Sequence, residues 1–538
     1  MPTLLTNANI ITLNDEQPRA AAMLVTGGRI VALFDDPDPS AHAPAGAERI
    51  NLGGRAVIPG LVDAHVHFSW FATYLNEAKL RGARSAEEAA SRTAEHAAQH
   101  EASSGWVTGR GWSQDEWDDP TFPTAAQLDA AIADRPVYLK AHSGHAAWVN
   151  SRALKEATIT AQTPDPVGGR IGRHPDGTPD GILYETAMEL VAGMIPSPTP
   201  EEMAERVRSA RDYAHRVGLT GLHDFDGPLA FAAYQLLHTN GELTLRILKN
   251  IPVEKLDHAV ALGLRSGFGD AMLRIGGVKT FADGALGVRT AWMIDPYEGE
   301  PDNTGICVTD PEIMTANVLK ASRAGLASTI HAIGDRAVHE VLNTYELTRE
   351  DEAKRGIPPT ALRHRVEHVQ VIHPDDVPRL AELQVIASMQ PIHATSDMHM
   401  ADTYWGERAE YAYNMRLQLE EGAVLALGSD APIEPIDPLP NIQAAVTRRR
   451  ADGSPGPEGW RTGPDGQRKL TIWEALRGFT QGPAYTAGLE YHTGTLASGY
   501  LADFVVLSQD ITECDPMHIA ETSVEATVVG GQWVHRTF

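Results

Sequence analysis

Eight short apolar runs, alternating with longer segments of helical character, constrain this 538-residue chain more than any other feature. They cover residues 56–67, 219–225, 244–250, 273–281, 326–331, 363–369, 385–390 and 423–429. Strands that alternate with helices predict parallel βαβ units. Eight such strands are the number that closes a (β/α)8 TIM-like barrel, an α/β fold. Residues 311–324 and 335–350 carry the apolar spacing of amphipathic helices. An open doubly wound sheet is the rival, but no glycine-rich phosphate loop follows an early strand.

Both ends differ from this middle. Residues 4–13 and 22–33 are β-rich and split by Asn14-Asp15 and Gly27-Gly28; residues 503–507, 525–529 and 533–535 repeat the style. One small β-sandwich built from both termini is expected, from residues 1–57 and 485–538, with two separate β caps as the alternative. The barrel then occupies residues 58–484. Within it, residues 71–216 are too long for a structureless loop in a compact domain. They read as a subdomain inserted after strand one, on the face where barrel enzymes bind substrate.

Charge and composition narrow the partners. Forty-five basic against 71 acidic residues give a net charge of −26, so nucleic acid and anionic membrane are poor partners. Two cysteines, Cys307 and Cys514, make no disulfide framework. The first 15 residues lack a basic n-region with an apolar core, and no run approaches 18 apolar residues. A cytoplasmic protein acting on a small molecule is the expectation, with a homodimer as the default assembly.

The chemistry concentrates where strands end. Asp63-Ala-His65-Val-His67 closes the first run. Alternate strand residues share a face, so His65 and His67 point the same way and can chelate one ion. With 22 histidines, about one His-x-His arises by chance, so its weight comes from its position. His331, His368 and Asp430 stand at the ends of three later runs. In a barrel all would converge on one mouth, as a metal centre requires. Lys279 lies mid-strand, where a buried ammonium is costly unless paired. Two readings stand: a carbamate formed with CO2 that bridges two metals, or a salt bridge to Asp283 or Asp224.

These stretches resemble the amidohydrolase superfamily, and within it the amidohydrolase family 3 branch that includes N-substituted formamide deformylases. The likeness is carried by Val57-Ile-Pro-Gly-Leu-Val-Asp-Ala-His-Val-His67, Gly277-Val-Lys-Thr-Phe-Ala-Asp-Gly-Ala-Leu-Gly287, His331-Ala-Ile-Gly-Asp-Arg336, Arg365-Val-Glu-His368, Ser388-Met-Gln-Pro-Ile-His393 and Gly428-Ser-Asp-Ala-Pro432. Gly111-Trp112 and residues 143–151 extend it into the insertion. The resemblance implies a (β/α)8 barrel with a terminal β-sandwich. It also implies one or two divalent metals, commonly zinc, held by His65, His67, carboxylated Lys279, His331 and His368, with Asp430 beside the bound water. Ala285 and Met389 depart from residues frequent in the branch, and neither is an implied ligand.

The expected activity is hydrolysis of a non-peptide, amide-type C–N bond of a small molecule. Asp430 serves as general acid and base, and His368 helps polarise the carbonyl. The same site used for ester hydrolysis, isomerisation or decarboxylation is the alternative, as is a non-catalytic regulatory barrel. Expected substrate contacts are Trp112, His142 and His145 from the insertion, with Gln390 and His393 after strand seven; Trp148 reads rather as insertion core.

Overall fold

The computed structural model describes residues 2–99, 105–141 and 144–538. The eight runs form one parallel sheet: β1 (Leu61–Val66), β2 (Leu219–Asp224), β3 (Arg246–Pro252), β4 (Leu273–Phe281), β5 (Ser328–Ala332), β6 (Arg365–His368), β7 (Ile386–Met389) and β8 (Leu425–Leu427). Spatial order follows chain order from β1 to β8. Past the end of β8, the seam is drawn together by Asp430 N–H donating to His65 O (2.7 Å) and His67 N–H to Ala431 O (2.9 Å). The sheet thus curls almost into a closed barrel, with β8 beside β1.

Helices return the chain between strands, as parallel pairing requires. Pro311–Arg323 starts on an Asp310 side chain that accepts from Glu312 N (2.9 Å), with Pro311 at the first helical position. Asp335–Lys354 extends four residues past its expected end and buries Val338, Val341, Leu342 and Tyr345.

The first apolar run divides between two sheets. Ala56–Pro59 pairs antiparallel with Phe504–Leu507, whereas β1 begins at Leu61 and joins the barrel. Gly60 makes the passage: its N–H donates to Asp503 O (2.9 Å), and a Cβ there would collide with Thr220. The strand Ala56–Pro59 therefore runs across the 57/58 division expected from sequence.

Both termini build the β domain. A six-stranded sheet orders Gln532–Arg536, Val524–Val529, Phe504–Leu507, Ala56–Pro59, Asn9–Ile11 and Arg19–Ala20. A four-stranded sheet orders Arg29–Phe34, Ala22–Thr26, Thr3–Thr6 and Glu48–Asn51. Leu5, Ile10, Met23, Val57, Phe504 and Val506 share one buried core.

Residues Ala72–Arg206 form a second compact unit, against the expected insertion of 71–216. It has its own six-stranded sheet, from Ala78–Lys79 through Val107–Trp112, Val137–Ala141, Ala146–Val149 and Pro179–Glu185 to Gly169–Arg173. Trp112, Trp117, Leu139 and Trp148 are buried in its core. No helix among the described residues is long and apolar enough to cross a membrane.

Candidate metal centre

His65 and His67 do share a face, their ring centroids 5.7 Å apart. Each ring is oriented by a carboxylate from elsewhere in the barrel, Glu367 in β6 and Asp226 just past the end of β2. His65 Nδ1 lies 2.6 Å from Glu367 Oε2, and His67 Nδ1 lies 3.0 Å from Asp226 Oδ1. A carboxylate accepts there, so each ring carries its proton on Nδ1 and presents a lone pair from Nε2. Both Nε2 atoms face Asp430 Oδ1, at 3.6 and 3.8 Å.

The carboxylates are themselves held. Glu367 is clamped by Arg365, whose Nε and Nη2 donate to it while Nη2 also donates to Ala64 O (2.7 Å). Burial alone would raise Glu367, but Arg365 and Lys279 beside it hold it below its ordinary range. Asp226 accepts from the Ser69 N–H and hydroxyl (both 2.6 Å) and the Trp70 N–H (3.2 Å), at the start of the helix Phe68–Leu75. Burial works against its charge, yet the bonds from His67 and Ser69 keep it below the usual carboxylate value.

Two left-handed residues bring further groups to this mouth. In a regular strand, neighbours Glu367 and His368 point to opposite faces. The positive φ of His368 (76°) turns its ring in, 4.7 Å from His65 and 4.6 Å from His331 between centroids. Asp430 likewise has φ 62°. Such backbone is costly for a non-glycine residue and persists only where its surroundings enforce it. For Asp430 the enforcement comes from Asp63, whose Oδ1 accepts from the N–H groups of His65 and Ser429 (both 3.0 Å) and whose Oδ2 accepts from the Ser429 hydroxyl. Burial pushes Asp63 up to about 7 against those bonds.

His368 Nδ1 faces Gln390 Oε1 at 2.8 Å, which leaves its Nε2 as the free lone pair. His331 Nε2 donates to Gly284 O (2.8 Å), so only its Nδ1 remains for an ion. Burial, ahead of the nearby Lys279 charge, takes His331 down to about 3 and holds His65 well below the usual imidazole value. Desolvation likewise depresses His368. All three rings are neutral donors at physiological pH.

Lys279 is buried with its ammonium 4.7 Å from the ring centroids of Phe225 and Phe281. The salt-bridge alternative is not realised. Asp224 pairs with Lys249 (2.7 Å), and Asp283 accepts from the backbone N–H groups of Trp292, Ile333 and Gly334 (2.9, 3.0 and 2.8 Å). Desolvation brings Lys279 down to about 8.

Among the described residues, His65, His67 and Asp430 place ligand atoms within 4.8 Å of one another, as do His368, His393 and Asp430. His65 Nε2, His393 Nε2 and Gln390 Nε2 are buried without a hydrogen-bond partner among the described residues. The orphaned His65 lone pair, shut away from water beside a carboxylate and a second imidazole, is costly alone and fits a divalent cation.

The insertion contacts fare differently. Trp112 is wholly buried in its own unit, its indole N–H donating to Leu139 O (2.8 Å) and its ring packed on Trp117 and Trp148. The substrate contact expected of it meets a filled core instead. His145 is exposed and paired with Glu185 (3.0 Å), and His142 lies outside the described residues. Asp63, Asp226 and Glu367 escaped sequence reasoning, although Asp63 stands two residues before His65 and Glu367 one before His368. Trp70, stacked on His67 with ring planes 17° apart and centroids separated by 4.5 Å, also escaped it.

Residues 48–535 match the family model of the amidohydrolase family. This chain belongs to that family. The family is one of metal-dependent hydrolases, and two candidate His/Asp groups are present among the described residues. Among relatives of this amidohydrolase, Protein LONG AFTER FAR-RED 3 of Arabidopsis thaliana is 33% identical over 546 residues, 99% of this chain and 91% of that protein. The N-substituted formamide deformylase of Arthrobacter pascens is 27% identical over 548 residues, 98% and 97% of the two chains. The crystal structure of an uncharacterized metal-dependent hydrolase from Pyrococcus furiosus superposes with TM-score 0.79 at 28% identity, covering 95% of this chain and all of that one.

Proposed function

We propose that the chain hydrolyses an amide-type, non-peptide C–N bond of a small molecule at this centre, with Asp430 as general base and then general acid. The observation that carries the reading is Asp430 itself. It is a buried carboxylate with one oxygen facing two metal-competent imidazoles and the other 3.9 Å from His393 Nε2. His65, His67 and Asp430 would hold a first divalent cation, zinc foremost. His368, His331 and Lys279, the last as its carbamate, would serve a second. A bound cation lowers the pKa of water and polarises a carbonyl.

The chain's own groups do the rest. Burial pushes Asp430 above the ordinary carboxylate range, which suits a group that takes a proton from water and returns it to the departing nitrogen. The lowered Lys279 pKa leaves part of its amine neutral, the form that adds CO2. Gln390 offers an unpartnered buried N–H donor to the carbonyl oxygen that gains charge. Trp70 and Phe281, 56% and 42% exposed, stand beside His67 and His331 and suit an apolar group on the substrate. The likeness to a formamide deformylase points to the same bond class.

The test is product analysis with zinc-loaded protein across N-substituted formamides, N-acyl amines, hydantoins and esters. Release of amine and carboxylate is the expected result; ester cleavage or isomerisation without amide turnover rejects it. Asp430→Asn is expected to lower kcat at least about 100-fold with metal retained.

A further inference from the structure

A buried chain of hydrogen bonds runs outward from the proposed acid/base. His393 Nδ1 faces the Gln370 carboxamide at 3.1 Å; the other end of that carboxamide faces Tyr413 Oη at 3.2 Å; Tyr413 Oη lies 2.7 Å from Asp397 Oδ2. His393, Gln370 and Tyr413 are all nearly inaccessible to solvent. Counting protons gives the chain a direction. A phenol has one proton, and the Asp397 carboxylate, which can only accept, takes it. Burial and that carboxylate hold Tyr413 far above its ordinary pKa, so the proton stays. Tyr413 Oη can then only accept from Gln370. As placed, Gln370 Nε2 faces His393 Nδ1 and its Oε1 faces Tyr413 Oη. The two ends of a carboxamide exchange by a half-turn, and with the phenol proton given to Asp397 the exchanged arrangement is the one that gives Tyr413 Oη a donor, Gln370 N–H donating to Tyr413 and its oxygen accepting from His393. His393 therefore carries its proton on Nδ1 and aims a lone pair from Nε2, without a partner among the described residues and 3.9 Å from Asp430 Oδ2.

We infer that the Asp397–Tyr413–Gln370 relay fixes His393 as a hydrogen-bond acceptor for the N–H of a secondary amide, so that the site selects N-monosubstituted over N,N-disubstituted amides. A cation at His393 would satisfy its lone pair but leave the Gln390 N–H donor without an acceptor. A secondary amide supplies both an N–H and a C=O. His393 Nε2 stands 3.9 Å from Asp430 Oδ2, so an N–H bound by it would be beside the group proposed to return the proton to the departing amine. His393 is the group that touches substrate; Gln370, Tyr413 and Asp397 are positioning residues. The inference rests on amide hydrolysis as the activity.

The test compares an N-monosubstituted formamide with its N-methylated counterpart on the full-length protein. Two readouts are used: kcat/KM of the zinc-loaded form and calorimetric binding by the metal-free form. Wild type is expected to favour the N–H compound at least about tenfold, the consequence of leaving a buried acceptor unpaired. His393→Phe is expected to bring the ratio near one with zinc content unchanged. Tyr413→Phe and the near-isosteric Asp397→Asn, which both release the direction of Gln370, are expected to shrink the ratio at an unchanged zinc content. Equal handling of the two compounds by wild type overturns the inference, as does loss of one zinc per chain in His393→Phe. So does a ratio indifferent to both relay variants. If no amide is hydrolysed, the proposed activity fails alone, and the binding ratio of the metal-free form still decides the acceptor role.

Discussion

Glu367 shows what single residues contribute here. It holds His65 in one tautomer and takes the charge of Arg365, so its effect on a metal passes through another side chain. Glu367→Gln keeps the volume but weakens the orienting bond, and metal affinity is expected to fall about 10–100-fold in a chelator competition. A second histidine, His215, reports on pH. It is buried, its Nδ1 bonded to Leu219 O (3.0 Å) and its Nε2 to Thr244 Oγ1 (2.9 Å), and desolvation takes it down to about 4. A folded-state pKa below the unfolded one means that the unfolded chain binds the proton first as pH falls. Its stability contribution is complete above about pH 6.5 and is lost between there and about pH 4, by ~3 kcal/mol at 1.36 kcal/mol per unit. The slope of denaturant stability against pH in that window is expected to flatten in His215→Gln. The tautomers of His65, His67 and His368 could not be seen from sequence, because each depends on an acceptor supplied from another βα unit of the barrel.

At the scale of elements, the seam between β8 and β1 sets the mouth. Gly428 passes so close to β1 that a Cβ would lie 2.5 Å from His65 N and 2.6 Å from Asp63 Oδ1. Gly428→Ala is therefore expected to wedge the seam open and loosen the Asp63 clamp. The cost is about 1–3 kcal/mol in thermal or denaturant unfolding, with lower zinc occupancy at equal total zinc. Strand positions were legible because apolar runs of this length between helical patterns have few other uses: β4 spans residues 273–281 as expected, and all the others but β1 shift by a residue or two. The split of the first run at Gly60 was not legible, since a continuous apolar stretch looks the same whether one sheet or two receive it. The left-handed turns at His368 and Asp430 were equally hidden, because nothing local favours positive φ at either residue.

The whole molecule depends on its ends. Val524–Val529 pairs with Phe504–Leu507, which pairs with Ala56–Pro59, one residue from β1. Truncation after Ser523 removes the last two strands of that sheet and uncovers Phe504 and Val506, both buried. Loss of a cooperative thermal transition, or of soluble protein, is expected; an unchanged Tm would show that the C-terminal strands are dispensable. An excess over barrel length was visible at residues 71–216, but its C-terminal bound was not, since the second compact unit ends at Arg206. The place of Trp112 inside the core of that unit was not visible either, because tryptophan serves a core and a ligand site equally well.

What the sequence determined by itself is periodic or local: eight barrel strands, β-rich ends, and metal-competent side chains at strand ends. Their meaning follows from spacing along the chain, which a reader of the sequence possesses in full. The tertiary structure alone decided which atoms face the mouth and which carry protons. His65 and Glu367 are 302 positions apart, His67 and Asp226 159. No spacing rule connects such partners. Burial then makes each pairing consequential, because a lone pair or carboxylate shut away from water must be satisfied by its neighbours.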